Sequence, residues 1–297
     1  MVEIYQINED ERIKLHECLI KMYCDIKFVC NKHNLSVALG GGSALGAIRH
    51  KGFIPWDDDL DLNMPRKDYD KFLSIMKDEL GAEYDFSAPC TECVDSPFLK
   101  IYKKDTINYE VFGNNRYRGI WIDVFPMDTA PNYKILQAIK GFIVDFFYFV
   151  NTSMFISQKD NQLVKKAYLV SNRAWRYYTA KVVGFLCPGN YKKFYNMFDR
   201  FVSDSRSGKY LTVATGRNKY AGECMRVSDL FPLREADFEG LKVDVYKNVE
   251  LYLTNLYGDY MKLPPVEKRE RHYTSKFFVS DNIRWHTEQA SNYHLVR

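Results

Sequence analysis

Trp56-Asp57-Asp58-Asp59-Leu60-Asp61-Leu62, with Gly40-Gly41-Gly42-Ser43 upstream of it, is the stretch whose reading decides the fold. Acidic and apolar residues alternate from Trp56 to Met64, which predicts a strand closed by Pro65. Side chains alternate across a strand, so Asp57, Asp59 and Asp61 are expected on one face, with neighbours about 7 Å apart. Leu60 and Leu62 then face a core, and Asp58 is the least suited of the four to act as a ligand. Three carboxylates on one face repel one another unless a cation sits among them. Mg²⁺ takes oxygen ligands, commonly one or two carboxylates plus substrate phosphates. The expectation is therefore a Mg²⁺ (or Mn²⁺) site at Asp57, Asp59 and Asp61, suited to phosphoryl transfer. A solvated acidic turn is the alternative for an isolated Asp-x-Asp; the flanking apolar alternation and the upstream glycines weigh against it.

Outward from this stretch, Ser36 to Leu39 is a short apolar run that reads as a strand, and Ala44 to Arg49 reads as a short helix directly after the glycines. Glycines let backbone approach a phosphate closely, and a helix N-terminus offers N–H groups and a favourable dipole. Gly41, Gly42 and Ser43 are thus candidates for holding a donor phosphate. Arg49, His50 and Lys51 lie between the glycines and the aspartates and could contact the same group; a solvated basic loop is the alternative. Lys100, in Phe98-Leu99-Lys100-Ile101, is another candidate, with a snorkelling strand lysine as its plain reading. Asp123 sits in the apolar run Ile122-Asp123-Val124-Phe125-Pro126. An acid there is costly to bury alone, which a metal or general-base role would relieve.

Apolar residues recur at helical spacing over residues 8 to 33, with Asn34 at the end, and Arg66 to Leu80 reads as a helix. Phe98 to Asp128 holds short strand candidates with a turn near Gly113-Asn114-Asn115. Lys134 to Val202 is mainly helical, broken at Cys187-Pro188-Gly189. Residues 209 to 245 are mixed, Val245 to Leu256 is a last helix closed by Gly258, and the chain beyond Leu263 reads as polar and irregular. The class is α+β, a short mixed sheet flanked by helices. One domain over 1–297 is expected, with a core at 1–133, a helical insertion at 134–205 and a completing part at 206–297.

The chain has 297 residues, enough for a sizeable core. Its net charge of +4 and lack of a long basic block argue against a dedicated nucleic-acid binder. Seven scattered cysteines and an acidic start, MVEIYQINEDERIKL, suggest reduced thiols in a cytoplasmic protein. Cys90-Thr91-Glu92-Cys93 has metal-ligand spacing but no second pair to complete a four-ligand zinc site. Ile135 to Ile156 is apolar and aromatic, interrupted by Lys140, Asp145 and Asn151. It reads as a buried or amphipathic helix, with a membrane-facing surface as the alternative and peripheral contact at the inner face of a membrane as its consequence.

The run Gly40 to Asp61, GGGSALGAIRHKGFIPWDDDLD, closely resembles the signature of the LicD family, which includes bacterial phosphocholine transferases and, more distantly, fukutin and fukutin-related protein. The likeness continues through Ile122-Asp123-Val124-Phe125-Pro126 and Asp128, then Leu230-Phe231-Pro232, Phe238-Glu239-Gly240, and Tyr257-Gly258-Asp259-Tyr260-Met261 with Leu263-Pro264-Pro265. It implies a nucleotidyltransferase-like core and a CDP-linked alcohol donor, with phosphocholine the foremost group transferred. The implied acceptor is a hydroxyl of a cell-surface glycan, lipopolysaccharide, teichoic acid or other polyol phosphate. By the same resemblance Asp57, Asp59 and Asp61 bind metal, Asp59, Asp61 and Asp123 are catalytic, and His272 is a further site candidate. Trp56, Trp121, Tyr102, Tyr109 and Trp285 are the aromatics available to a choline headgroup. Two other readings compete: a nucleotidyltransferase that releases pyrophosphate, and a non-catalytic nucleotide- or glycan-binding protein.

Overall fold

The computed structural model describes residues 4–110, 119–158, 162–170, 173–187, 189–204, 206–266, 269 and 273–280. The turn expected at Gly113-Asn114-Asn115, together with Pro188, His272 and Trp285, lies outside them. In chain order the first elements are α1 (Glu9–Lys32), β1 (Ala38–Leu39), α2 (Gly41–His50), β2 (Asp61–Pro65) and α3 (Arg66–Leu80). Strands β3 (Tyr84–Ser87), β4 (Leu99–Lys103), β5 (Ile107–Glu110) and β6 (Trp121–Ala130) come next. Helices α4 (Lys134–Gln158), α5 (Gln162–Val170), α6 (Ala174–Leu186) and α7 (Tyr191–Val202) form the middle. The remainder is β7 (Tyr210–Val213), α8 (Lys219–Gly222), β8 (Met225–Arg226), α9 (Val227–Leu230), β9 (Arg234–Phe238), β10 (Leu241–Val245), α10 (Val249–Tyr257) and β11 (Thr274–Phe278).

Strand β6 organises the main sheet, whose order is β1-β2-β6-β4-β3 with β7 and β8 attached through the far end of β6. Its first half lies parallel to β2 and antiparallel to β4; its second half pairs antiparallel with β7. Pleating divides the residues cleanly. Leu62, Met64, Leu99, Ile101, Ile122 and Val124 share one face and are fully buried. They join Leu15, Leu19, Met22 and Ile26 of α1 and Tyr69 and Phe72 of α3 in the largest core cluster. The opposite face carries Asp61, Asp123 and Lys100. The middle helices have two smaller apolar clusters of their own, one around Met154, Tyr177 and Tyr191, the other around Val144, Phe198 and Tyr220.

Several boundaries differ from expectation. The strand expected from Trp56 begins only at Asp61, because residues 57–60 have no strand partner and form the approach to β2. Helix α2 begins at Gly41 rather than Ala44, so the glycines are its first turn and not a preceding loop. The last long helix starts at Val249, since Val245 belongs to β10, which pairs with β9 in a hairpin. Beyond Leu263 the chain is not wholly irregular: β11 pairs with β5. Asp128, near the C-terminal end of β6, is fully buried and meets Arg66 through two hydrogen bonds of 2.7 and 3.0 Å. Arg66 also reaches Asp199 of α7 at 3.0 Å, and the Asp204 amide donates to Asp128. Burial opposes the Arg66 charge, but the hydrogen bonds and attraction of Asp128 outweigh it and raise the guanidinium pKa. This pair ties the sheet to α3 and to the middle helices. Arg66→Met strands the Asp128 carboxylate and should cost about 3–5 kcal/mol, read as a lower urea midpoint at unchanged slope.

Candidate active site

The site is assembled where the first turn of α2 meets the start of β2. The Gly40 amide donates to the Asp61 carbonyl at 2.9 Å, and the Asp61 amide donates to Ser43 Oγ at 2.9 Å. These two bonds lock the glycine turn against the strand. Gly41 has φ +44°, a conformation that costs a residue with a β-carbon strain. A β-carbon there would lie 2.9 Å from Asp61 Oδ2, and one on Gly42 would lie 3.0 Å from Asp57 Oδ2. Both carboxylates therefore reach the helix N-terminus because no side chain stands in the way.

Across the sheet the register completes the arrangement. Asp61 pairs with Asp123 and Asp123 with Lys100, so all three lie side by side on one face. Lys100 Nζ is 3.1 Å from Asp123 Oδ1 and 4.8 Å from the Trp121 ring centroid. Beside them Asp57, Asp58 and Asp59 each offer a carboxylate oxygen, all within 4.8 Å of one another. Because residues 57–60 precede the strand, two-residue alternation does not govern them. Asp58 thus joins the cluster it was expected to avoid, and Asp61 stands next to it on the strand instead of completing a single row. The donor set is all carboxylate oxygen, the chemistry hard divalent cations take. An octahedral ion places its ligand oxygens about 3–4 Å apart, close to the spread seen here. The residues fit such an ion.

The proposed phosphate contacts divide. Gly41 N–H donates to Tyr252 Oη at 2.9 Å, and the buried Ser43 hydroxyl accepts from Asp61, so both are engaged in holding the turn. The amides of Gly42 and Ser43 lie in the first turn, where a helix has no acceptor of its own. Arg49 and His50 lie at the far end of α2; Arg49 donates to the Tyr260 carbonyl at 2.6 Å and to His50, yet remains close enough to feel the Asp57 charge. Burial, followed by the Arg49 charge, lowers the His50 pKa. Lys51 is exposed at the end of α2, its carbonyl accepting from the Glu239 amide and its charge acting on Asp237 of the β9–β10 hairpin.

Three residues beyond the expected site set hold the loop or border it. His16 of α1 donates Nε2–H to the Asp57 carbonyl at 2.8 Å, and its ring stacks on Phe53 at 3.9 Å. Burial lowers its pKa to about 4, so it is neutral at pH 7 and serves as a fixed donor that positions the acid loop. Glu239, at φ +48° in the β9–β10 turn, accepts from the Phe53 amide at 3.0 Å and supports the same loop from the other side. Tyr257 of α10 is partly buried near Gly41, Asp57 and Asp61, and carries Arg217 over its ring at 5.1 Å. A histidine inside an apolar helical stripe was the available signal for His16. The Glu-Gly turn and the Tyr-Gly pair were visible only as fragments of a family pattern.

Behind Tyr252 and Tyr257, Glu223 is buried and accepts from the Asn218 amide at 3.0 Å. Burial raises its pKa to about 7, against the pull of that amide and of Arg217.

Residues 34–139 match the model of the LicD/FKTN/FKRP nucleotidyltransferase domain. The chain is 28% identical over 256 residues to the lipopolysaccharide cholinephosphotransferase LicD of Haemophilus influenzae, covering 84% of this chain and 91% of that one. It is also 36% identical over 75 residues to an uncharacterized protein of Rickettsia typhi, covering 25% of this chain and 23% of that one. A third relative, an uncharacterized protein of Rickettsia prowazekii, is 25% identical over 134 residues, 44% of this chain and 46% of that one.

Two outcomes follow from the geometry. Gly42→Ala should keep or raise the thermal midpoint, since alanine is favoured over glycine within a helix by roughly 1 kcal/mol. It should nevertheless weaken Mn²⁺ binding about tenfold in a calorimetric titration, by displacing Asp57; unchanged affinity would remove Asp57 from the ion's ligands. For Glu223, the raised folded pKa means that stability is lost as pH rises from the ordinary carboxylate range through about 7. Glu223→Gln should therefore be more stable than the parent by up to roughly 3 kcal/mol at pH 8, with the difference vanishing near pH 4.5 in thermal or urea unfolding.

Proposed function

We propose, for a chain that carries a LicD-family domain at residues 34–139, that it is a transferase moving phosphocholine from a CDP-activated donor to a hydroxyl of a cell-surface glycan or polyol phosphate. The observation that carries this reading is the alignment of Asp61, Asp123 and Lys100 beside the Asp57–Asp59 cluster and the first turn of α2. The likeness to a lipopolysaccharide cholinephosphotransferase over most of both chains supports phosphocholine as the group and a glycan as the acceptor. Trp56, adjacent to Asp57, carries the Arg269 guanidinium on its ring face at 4.0 Å, a face equally suited to a quaternary ammonium.

In this mechanism Asp57, Asp58, Asp59 and Asp61 are the residues that would hold Mg²⁺ or Mn²⁺ beside the donor diphosphate. A divalent ion there would neutralise the diphosphate and polarise the reacting phosphorus. The amides of the α2 first turn orient phosphate oxygens, and Lys100 faces the charge that develops on the transferred group. Asp123 accepts the proton of the attacking hydroxyl. The new P–O bond forms to the acceptor oxygen, the bond to the CMP phosphate breaks, and CMP leaves with its electron pair. His16 and Glu239 act through the loop they hold and touch no substrate.

The decisive assay supplies CDP-choline, a lipopolysaccharide or teichoic acid acceptor and Mg²⁺, and follows the released nucleotide. CMP is the expected product; pyrophosphate released from a nucleoside triphosphate would establish nucleotidyl transfer instead. Asp59→Asn should lower turnover at least about 100-fold, with thermal stability preserved. Equal turnover in that variant would remove the acid cluster from the reaction.

A further inference from the structure

The middle helices expose an unusual amount of apolar surface. On α4, Ile135, Leu136, Ile139, Phe142, Ile143, Phe146 and Phe149 are all exposed, Phe142 at 77%. Their spacing of three and four puts them on one stripe. A second stripe runs along α6, through Trp175, Tyr178, Val182, Phe185 and Leu186, with Phe185 at 84%. The two helices pack against each other, with Gly184 set close against Ser153 and Ser157. Exposed apolar stripes on two neighbouring helices mark an interaction surface.

Helix α4 is long and apolar enough to cross a bilayer, but its other side is fixed to the protein. Gly141 packs on Ala221 and Tyr220, Val144 is fully buried, and Asp145 accepts from the Tyr220 amide at 3.4 Å. Tyr148, also on α4, lies close enough to Lys100 and Asp123 for their charges to act on its hydroxyl. Pulling α4 across a membrane would break its packing on Tyr220 and Ala221. An in-plane position keeps both packings.

Charge selects the occupant. Residues 134–202 hold eleven Lys and Arg against three Asp, an excess of eight in a chain whose total excess is four. Among the described residues of this section the two acids are turned inward: Asp145 to Tyr220, and Asp199 to Arg66. Lys134, Lys165, Lys166, Arg173, Arg176 and Lys193 are exposed. We propose that the α4–α6 face is the seat of an anionic lipid bilayer, with the aromatic stripes inserted at headgroup depth and the basic residues drawn to lipid phosphates. Such cations near an anionic surface add up, so a handful suffices for salt-sensitive attachment. The inference is independent of the proposed chemistry, because it uses only the outer surface of the middle helices.

The test is co-sedimentation of the full chain with phosphatidylcholine vesicles, with and without phosphatidylglycerol. Binding is expected only with phosphatidylglycerol, reduced by 0.5 M salt, and weakened at least about tenfold by F142E with F185E, a change at two highly exposed positions. Tryptophan emission supplies a second measurement: the part lost in W175F, which isolates Trp175 from Trp56, Trp121 and Trp285, should shift to the blue on vesicle addition and be quenched by brominated lipid. Absent binding, equal binding by the double variant with no quenching of Trp175, or a wild-type dimer that the double variant dissociates without any vesicle affinity would each overturn the proposal.

Discussion

The missing β-carbons of Gly41 and Gly42 set the geometry on which the site depends. With glycine at both positions the Asp57 and Asp61 carboxylates can stand against the first turn of α2. A side chain at either would occupy the space of a carboxylate oxygen. The same contact brings backbone amides and acidic side chains within reach of one small volume, which a diphosphate and its cation need and which neither group achieves alone. The surrounding fold fixes this contact from several sides: Ser43 and Tyr252 hold the turn, His16 and Glu239 hold the acid loop, and the parallel register of β2 on β6 places Asp123 next to Asp61.

How much of this was legible in the sequence depends on the range of the interaction. Helix α3 from Arg66 to Leu80 and the capped helix α1 follow from local periodicity and breakers, and their ends were readable within a residue or two. The glycine turn and the aspartates were readable as chemistry because both are short-range patterns. What alternation could not supply was the point at which the strand begins. A strand exists only where a partner pairs with it, and residues 57–60 lack one, so Asp58 takes a place beside Asp57 and Asp59. For the same reason β11 was hidden: its partner β5 lies more than 160 residues earlier in the chain.

Lys100 and Asp123 show the limit in another form. Each was singled out because a charge inside an apolar run needs a partner, and each is the other's partner. Their spacing in sequence carries no hint of this; the antiparallel register of β4 on β6 creates it. Arg66 and Asp128 solve the same problem for structure alone, deep in the core and away from the acid cluster. One buried pair thus anchors the sheet to the helices, while the other lies at the open face where a substrate oxygen could compete for it. The difference is exposure, not residue type, which is why composition and motif could not separate them.

The middle helices extend the argument to the protein's surroundings. Their inner sides are packed like any core, while their outer sides break the usual rule that large aromatics avoid solvent. Residues outside 134–202 are together net negative although the whole chain is net positive, so the positive charge is concentrated on the section that also carries the apolar stripes. Attachment and reaction place opposite demands on charge: the acid cluster would be repelled by an anionic surface, while the basic helices would be attracted to it. On the proposed attachment, segregating the two would let the molecule approach lipid with one side and keep its carboxylates on another. An acceptor carried on a lipid would then arrive along the same helices, one of which brings Tyr148 within range of the Lys100 and Asp123 charges.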